Sequence, residues 1–261
     1  MSYFTMGLWV LVLSLGVSLA GALVGLACIR QSMLSVTAKF RLVWLTAAAV
    51  SIGAVGTWLA VYVNMLGVGV PHGDLRYDVW QVALAAVLAV VSVLAGLLVA
   101  GRSPSVRRLA GGSAVMGLGL GSMHLLGMDA IRVQGSVTLN PLAALGATVT
   151  AIAAAALLLI TTTRPRTLIT LAGAALGFAF LICTLHYLGL TGVRVRMDPA
   201  MRQPAGDDLF TLFVPVFVLG TLSLAVPITA VLVAPDRSGS ARAAQTTKPR
   251  TRRRPLVSQS S

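Results

Sequence analysis

Two histidines stand at matching places in a pattern that this chain uses twice. His124-Leu125-Leu126-Gly127-Met128-Asp129-Ala130-Ile131-Arg132-Val133 returns 62 residues later as His186-Tyr187-Leu188-Gly189-Leu190-Thr191-Gly192-Val193-Arg194-Val195. In both copies a Gly follows the His by three positions, a sulfur-bearing or aliphatic residue by four, and an Arg by eight. A helix places positions four apart on one face. The His124 imidazole and the Met128 thioether can therefore converge on one ion, and soft sulfur combined with imidazole suits Cu(I). Met65 and His186 complete that donor set if the repeat helices pack around one axis. Met123 and Cys183 stand in reserve, Cys183 because it precedes His186 by three positions and shares its face. The competing reading is structural: each histidine bridges helices by hydrogen bonding to a neighbour's backbone or hydroxyl.

A third copy lies 63 residues before His124, where Trp58-Leu59-Ala60-Val61-Tyr62-Val63-Asn64-Met65-Leu66-Gly67-Val68 keeps the aromatic after the key position and the sulfur four residues on. Its His and its Gly are gone: Val61 stands where the other copies have His. The copies near 58–68, 122–133 and 184–195 fall at the ends of alternate apolar stretches, as a repeating two-helix unit requires.

Helices that cross a membrane must carry these motifs. The chain is 57% hydrophobic and only 10% charged, and it holds several apolar stretches of about 20 residues, the length that spans a ~30 Å hydrocarbon core. Seven spans are expected, at about 5–28, 43–66, 79–101, 110–131, 141–162, 168–190 and 209–233. The expected fold class is an all-α polytopic membrane protein. Cytoplasmic loops are enriched in Lys and Arg, and an outside N-terminus puts Arg30, Lys39, Arg41, Arg102, Arg107, Arg108, Arg164 and Arg166 on the cytoplasmic side. The expected topology is thus N-terminus out and C-terminus in. The first six residues carry no basic side chain, so the first span is read as a retained helix and not a signal peptide.

The net charge of +13 would suggest nucleic acid in a soluble protein. Here Arg237, Arg242, Lys248, Arg250, Arg252, Arg253 and Arg254 sit together in a Ser-, Thr-, Gln- and Pro-containing tail. Residues 1–235 form the expected membrane domain, and residues 236–261 are expected to be a disordered cytoplasmic tail attracted to anionic headgroups. Nucleic acid is not an expected partner. Cys28 and Cys183 are expected at different depths, too far apart for a disulfide. Gly117, Gly119, Gly121, Gly173 and Gly177 read as close helix packing. Arg132 and Arg194 should reach the headgroups and snorkel to phosphate, or else gate the site or pair with Asp129, Asp198 or Asp207. Asp129 stands three residues before Arg132, a spacing that allows an ion pair. His72, in Pro71-His72-Gly73-Asp74, reads as exposed.

The chain resembles the MHYT family of bacterial integral membrane domains, named for a Met-His-Tyr-Thr motif at the outer ends of alternate helices. Met123-His124-Leu125-Leu126-Gly127-Met128 is similar to that motif with its last two letters changed, and Leu185-His186-Tyr187-Leu188-Gly189-Leu190 keeps His, Tyr and Gly. The resemblance runs through nearly the whole chain. It implies a sensory domain that binds copper through Met, His and Cys near the outer face and senses oxygen, carbon monoxide or nitric oxide. Relatives place such a domain before cyclic-di-GMP enzymes or a kinase, so output from this chain is expected through a cytoplasmic partner. The chain departs from the motif at Ala60, Val61, Leu185 and Leu190.

Other classes fit less well. A transporter or channel should show midplane charge or paired broken helices, whereas the span centres are Ala, Leu and Val, and Pro215 and Pro227 both fall in the last span. A transporter is the alternative reading, beside a scaffold that has lost its ligand. No enzyme is expected: the sequence has no paired carboxylates at membrane depth, no nucleophile with a base and no phosphate-binding loop. The high Ala, Gly, Val and Arg content points to a GC-rich bacterial genome and a bacterial plasma membrane.

Overall fold

The computed structural model describes residues 5–69, 75–102, 105–163, 167–198 and 200–233. Seven helices within them are long and apolar enough to cross a membrane: Trp9–Leu34, Ala38–Met65, Val79–Ala100, Val106–Asp129, Pro141–Thr161, Leu168–Thr191 and Phe213–Val233. The expected seven-span helical architecture is therefore present. Some helices run further than expected, the first ending at Leu34 and the second and fourth beginning at Ala38 and Val106. Arg30, Lys39, Arg41, Arg107 and Arg108 consequently ride on helix ends, where a long side chain lays its aliphatic stem along the helix and keeps its charge in the polar zone. The basic tail and His72 lie outside the described residues.

Side-chain caps fix several helix starts. The Thr37 hydroxyl accepts from the Phe40 N–H, Ser105 from Arg108 and Thr167 from Thr170. Asp78 accepts from the N–H groups of Trp80 and Gln81, and Asn140 accepts from Leu142 just before the helix-compatible Pro141. Each satisfies a donor that the first helical turn leaves without a partner.

The first six spans form a closed ring. Each packs on its sequence neighbours and the sixth returns to the first, while the second, fourth and sixth also touch one another inside. The three motif helices thus do pack around one axis. Glycines permit the closest approaches: a Cβ at Gly21 would lie 2.4 Å from the Gly56 nitrogen, and one at Gly117 would lie 2.3 Å from the Ile152 Cα. The second span is not a uniform α-helix, since Val50–Leu59 is wound as a π-helix. Two serines of the first span stitch it down, Ser18 donating to the Gly56 carbonyl at 2.6 Å and Ser14 to the Ala60 carbonyl at 2.8 Å.

Among the described residues five short strands cap the end of the ring where the motif helices finish, an addition to the expected all-α fold. β1 (Arg76–Tyr77) pairs antiparallel with β2 (Ile131–Arg132) on one side and with β5 (Asp207–Asp208) on the other. β3 (Gly135–Leu139) pairs antiparallel with β4 (Val193–Met197), in the register Thr138 to Arg194 and Ser136 to Arg196.

Candidate functional site

The fourth and sixth spans bring His124 and His186 together. Both are fully buried, with ring centroids 5.6 Å apart and planes at 80°. His186 also stands edge-on to Tyr187, at 5.2 Å. Nδ1 and Nε2 of both histidines are buried and have no hydrogen-bond partner among the described residues. The hydrogen-bonded helix bridge considered from sequence is therefore not formed there.

The glycine of the repeat now has a physical role. A Cβ on Gly189 would lie 2.1 Å from the His124 Nε2, so the bare backbone of the third copy is the seat of the second copy's ring. The matching Gly127 has nothing within 4 Å of such a Cβ. Gly127 and Val61 instead border a cavity of about 30 Å³ that His124 also lines. A missing ring leaves a gap where a seat remains.

Methionine supplies the other walls. Met65, Met123 and Met128 line the same cavity and are all buried. Tyr62 and Tyr77 face it too, and neither hydroxyl has a partner among the described residues. Burial, with Tyr62 and Asp208 nearby, pushes the Tyr77 phenol up from its ordinary value, which keeps it protonated and a hydrogen-bond donor at neutral pH.

Cys183 sits apart from these sulfurs. Its Sγ lies 3.6 Å from Ser14 Oγ and receives the Asn64 amide at 3.9 Å, while the Tyr187 hydroxyl lies 3.4 Å from Asn64 Oδ1. Both cysteines are free thiols. Asn64 is a residue the sequence reading passed over. It occupies the Gly position of the first copy, and a fully buried amide within a membrane span is costly unless it is bonded.

The two repeat arginines differ. Arg132 is held at the surface of the strand cap, donating to the Asp129 backbone carbonyl and to Gln81 Oε1 at 2.7 Å, with Asp78 Oδ2 at 3.3 Å. Its partner in the motif is thus the main chain of Asp129, because pairing of β2 with β1 carries the guanidinium towards Asp78. The Asp129 carboxylate accepts from Gln81 instead, at 2.9 Å. Arg194 is exposed on the two-stranded β3–β4 sheet.

Comparison with known proteins tests the family. The model of the MHYT family, described as "Bacterial signalling protein N terminal repeat", matches residues 55–113 and 117–177. The chain belongs to the MHYT family. The two matched stretches hold the Val61 and His124 copies of the MHYT repeat, and the His186 copy follows them. The chain is also 31% identical, over 196 residues, to the bifunctional diguanylate cyclase/cyclic di-GMP phosphodiesterase MucR of Pseudomonas aeruginosa. That match covers 73% of this chain and 28% of the relative, so the chain spans under a third of the protein it resembles. No solved structure matches it. As an MHYT protein it is a multi-pass bacterial membrane protein of a signalling sensor class.

The residues fit the metal that the family resemblance implies. Imidazole nitrogens with no other partner and buried thioethers make a soft donor set suited to Cu(I). Among the described residues no group of three or more His, Cys, Asp or Glu gathers where it could hold a metal ion, so a site here would rest on the two histidines and the thioethers.

Proposed function

We propose that this MHYT chain senses through a soft metal ion, copper, held between His124 and His186, and passes its signal to a separate cytoplasmic protein. One observation carries the reading: four imidazole nitrogens lie buried without a partner among the described residues. A buried polar atom left unpaired costs about 1–3 kcal/mol, so a ligand that takes up the nitrogen lone pairs stabilises the folded bundle. His124 and His186 are the first donors. Met65, Met123 and Met128 border the His124 side and supply thioethers there, while Cys183 lies one helical turn before His186. When bound, copper supplies a soft, redox-active acceptor that takes up small gaseous ligands. The chain's own part is to exclude water, hold the rings edge to face and keep the sulfurs beside them.

The strand-capped end is proposed to face outward, with the C-terminus in the cytoplasm of a bacterial cell. Partner output is supported by the relative, whose name joins cyclic-di-GMP synthesis and hydrolysis. The deciding experiment is anaerobic Cu(I) loading of the purified protein, compared with the His124→Ala, His186→Ala double variant. Near-stoichiometric copper that the double variant loses is the expected result. Equal background copper in both proteins ends the metal reading and leaves the ring pair a packing element.

A further inference from the structure

The strand cap separates its charges. Asp78 faces Arg132 and Asp129 accepts from Gln81, while Asp207 and Asp208 form β5 of the three-stranded sheet. The two-stranded sheet is different. Strand alternation turns Ser136 and Thr138 of β3 and Arg194 and Arg196 of β4 outward together, and all four are exposed. The register sets Thr138 opposite Arg194 and Ser136 opposite Arg196. Among the described residues neither guanidinium has a hydrogen-bond or ion-pair partner. Asp198, two residues beyond Arg196, instead accepts from the Ala200 N–H at 3.0 Å.

Two guanidiniums and two hydroxyls with no carboxylate among them call for an oxyanion. Same-face residues two apart on a strand stand about 6.6–6.8 Å apart, and directly opposed residues about 4.5–5.5 Å, so the four donors surround an area that one phosphate diester covers. A guanidinium fork matches phosphate oxygens with two parallel N–H bonds. The place of the sheet selects the source of that phosphate. One residue, Asn140, separates β3 from the fifth span, and one, Gly192, separates the sixth span from β4. The sheet therefore stands on the ends of two spans, where the headgroup layer begins. Beside it the fifth span turns Leu142 and Leu145 outward, 78% and 61% exposed, an apolar wall for an acyl chain.

We propose that the outer face of the β3–β4 sheet is a seat for one anionic phospholipid, with the phosphate held by Arg194, Arg196, Ser136 and Thr138 and an acyl chain along Leu142 and Leu145. The face discriminates between lipids by charge. A zwitterionic headgroup brings an ammonium that no carboxylate of this face receives, whereas an anionic headgroup brings only charge that the arginines neutralise. The seat also joins the two histidine helices. β3 follows the fourth span by way of β2, and β4 follows the sixth, so a lipid held across both strands ties together the ends of the helices that carry His124 and His186.

The test titrates the full-length protein in detergent with phosphatidylglycerol or phosphatidylcholine and counts bound lipid by native mass spectrometry, with thermal unfolding as a second readout. Wild type should hold one phosphatidylglycerol more tightly than any phosphatidylcholine. A surface arginine adds about fivefold to the binding of anionic lipid, so the Arg194→Gln, Arg196→Gln variant should hold phosphatidylglycerol about 25-fold more weakly, with phosphatidylcholine binding and lipid-free unfolding unchanged. Ser136→Ala, Thr138→Val removes no charge and should weaken phosphatidylglycerol alone, by about fivefold. Equal phosphatidylglycerol binding by wild type and the arginine variant would overturn the proposal and leave the attraction to the basic residues after Pro235, which all these proteins retain. An effect of the arginines with none from the hydroxyls would also overturn it, since diffuse charge and not a seat would then be at work. Millimolar inorganic phosphate that displaces the lipid and raises the unfolding temperature as far as the lipid does would make this a free-anion site instead. No metal enters the measurement, so its outcome is separate from that of copper loading.

Discussion

Gly189 and Gly127 occupy the same place in the repeat and are surrounded differently. Gly189 seats the His124 ring, with 2.1 Å between its would-be Cβ and Nε2, whereas Gly127 opens on free space. Gly189→Ala must push the ring or the sixth span aside and should destabilise the protein by about 1–3 kcal/mol, with loss of copper binding. Gly127→Ala should be neutral or slightly stabilising, since Ala is the better helix former by roughly 1 kcal/mol. Thermal unfolding of both variants in one detergent checks the contrast. The histidines were readable in the sequence because the repeat marks them. The glycine's use was not, since the ring it accommodates belongs to another copy and the contact exists only after the helices close around their axis. Asn64 escaped notice for a related reason: with Val61 and Asn64 the first copy has neither marker residue, and only the fold places that amide beside Cys183.

The spans themselves were legible because twenty apolar residues in a row admit few other structures, and their number and order follow from hydropathy alone. Their winding did not. Val50–Leu59 is mostly β-branched residues and glycine, which are weak helix formers, but nothing in their periodicity distinguishes a π-turn from an α-turn. The Thr57 hydroxyl donates to the Ile52 carbonyl within it at 2.8 Å, and further support comes from another helix. Ser14 and Ser18 donate to carbonyls within and just after the π segment, so a Ser14→Ala, Ser18→Ala double variant should lose about 1–2 kcal/mol, near 0.6 per bond or somewhat more in a membrane. Denaturant or thermal unfolding measures this, and an unchanged midpoint would mean that helix packing alone sets the winding. The capping strands were equally hidden, being two to five residues long and formed by partners distant in sequence.

Among the described residues the first six spans close a ring, and the seventh packs beside it on the second span. Basic residues crowd the loops at one end and the motifs lie at the other, from which the outward orientation of the strand cap is proposed. A cysteine introduced near the C-terminus should react with a membrane-impermeant maleimide only after the cells are permeabilised, and one at the exposed Ser136 of β3 should react without it. The opposite pattern would turn the site towards the cytoplasm and make an internal signal its stimulus. The closed ring also explains why a composition-level reading was enough for architecture and insufficient for the site. Apolar surface is the same to lipid and to a neighbouring helix, whereas the positions of His124, Met65 and Tyr62 depend on angles between helices that composition does not encode.

The π-wound stretch of the second span has a consequence for rotational phase. A π-turn holds one more residue than an α-turn, and each residue advances an α-helix by about 100°. Every side chain beyond Leu59 therefore points in a direction that a plain α-helix of the same sequence would not give it. Tyr62 and Met65 reach the cavity because of that offset. Rewinding Val50–Leu59 as a plain α-helix of the same sequence would swing both of them away by about 100° for each residue the π-turns absorb. For this bundle the angular setting of one helix is a more sensitive variable than its length, and a change of winding in Val50–Leu59 is enough to dismantle one side of the pocket.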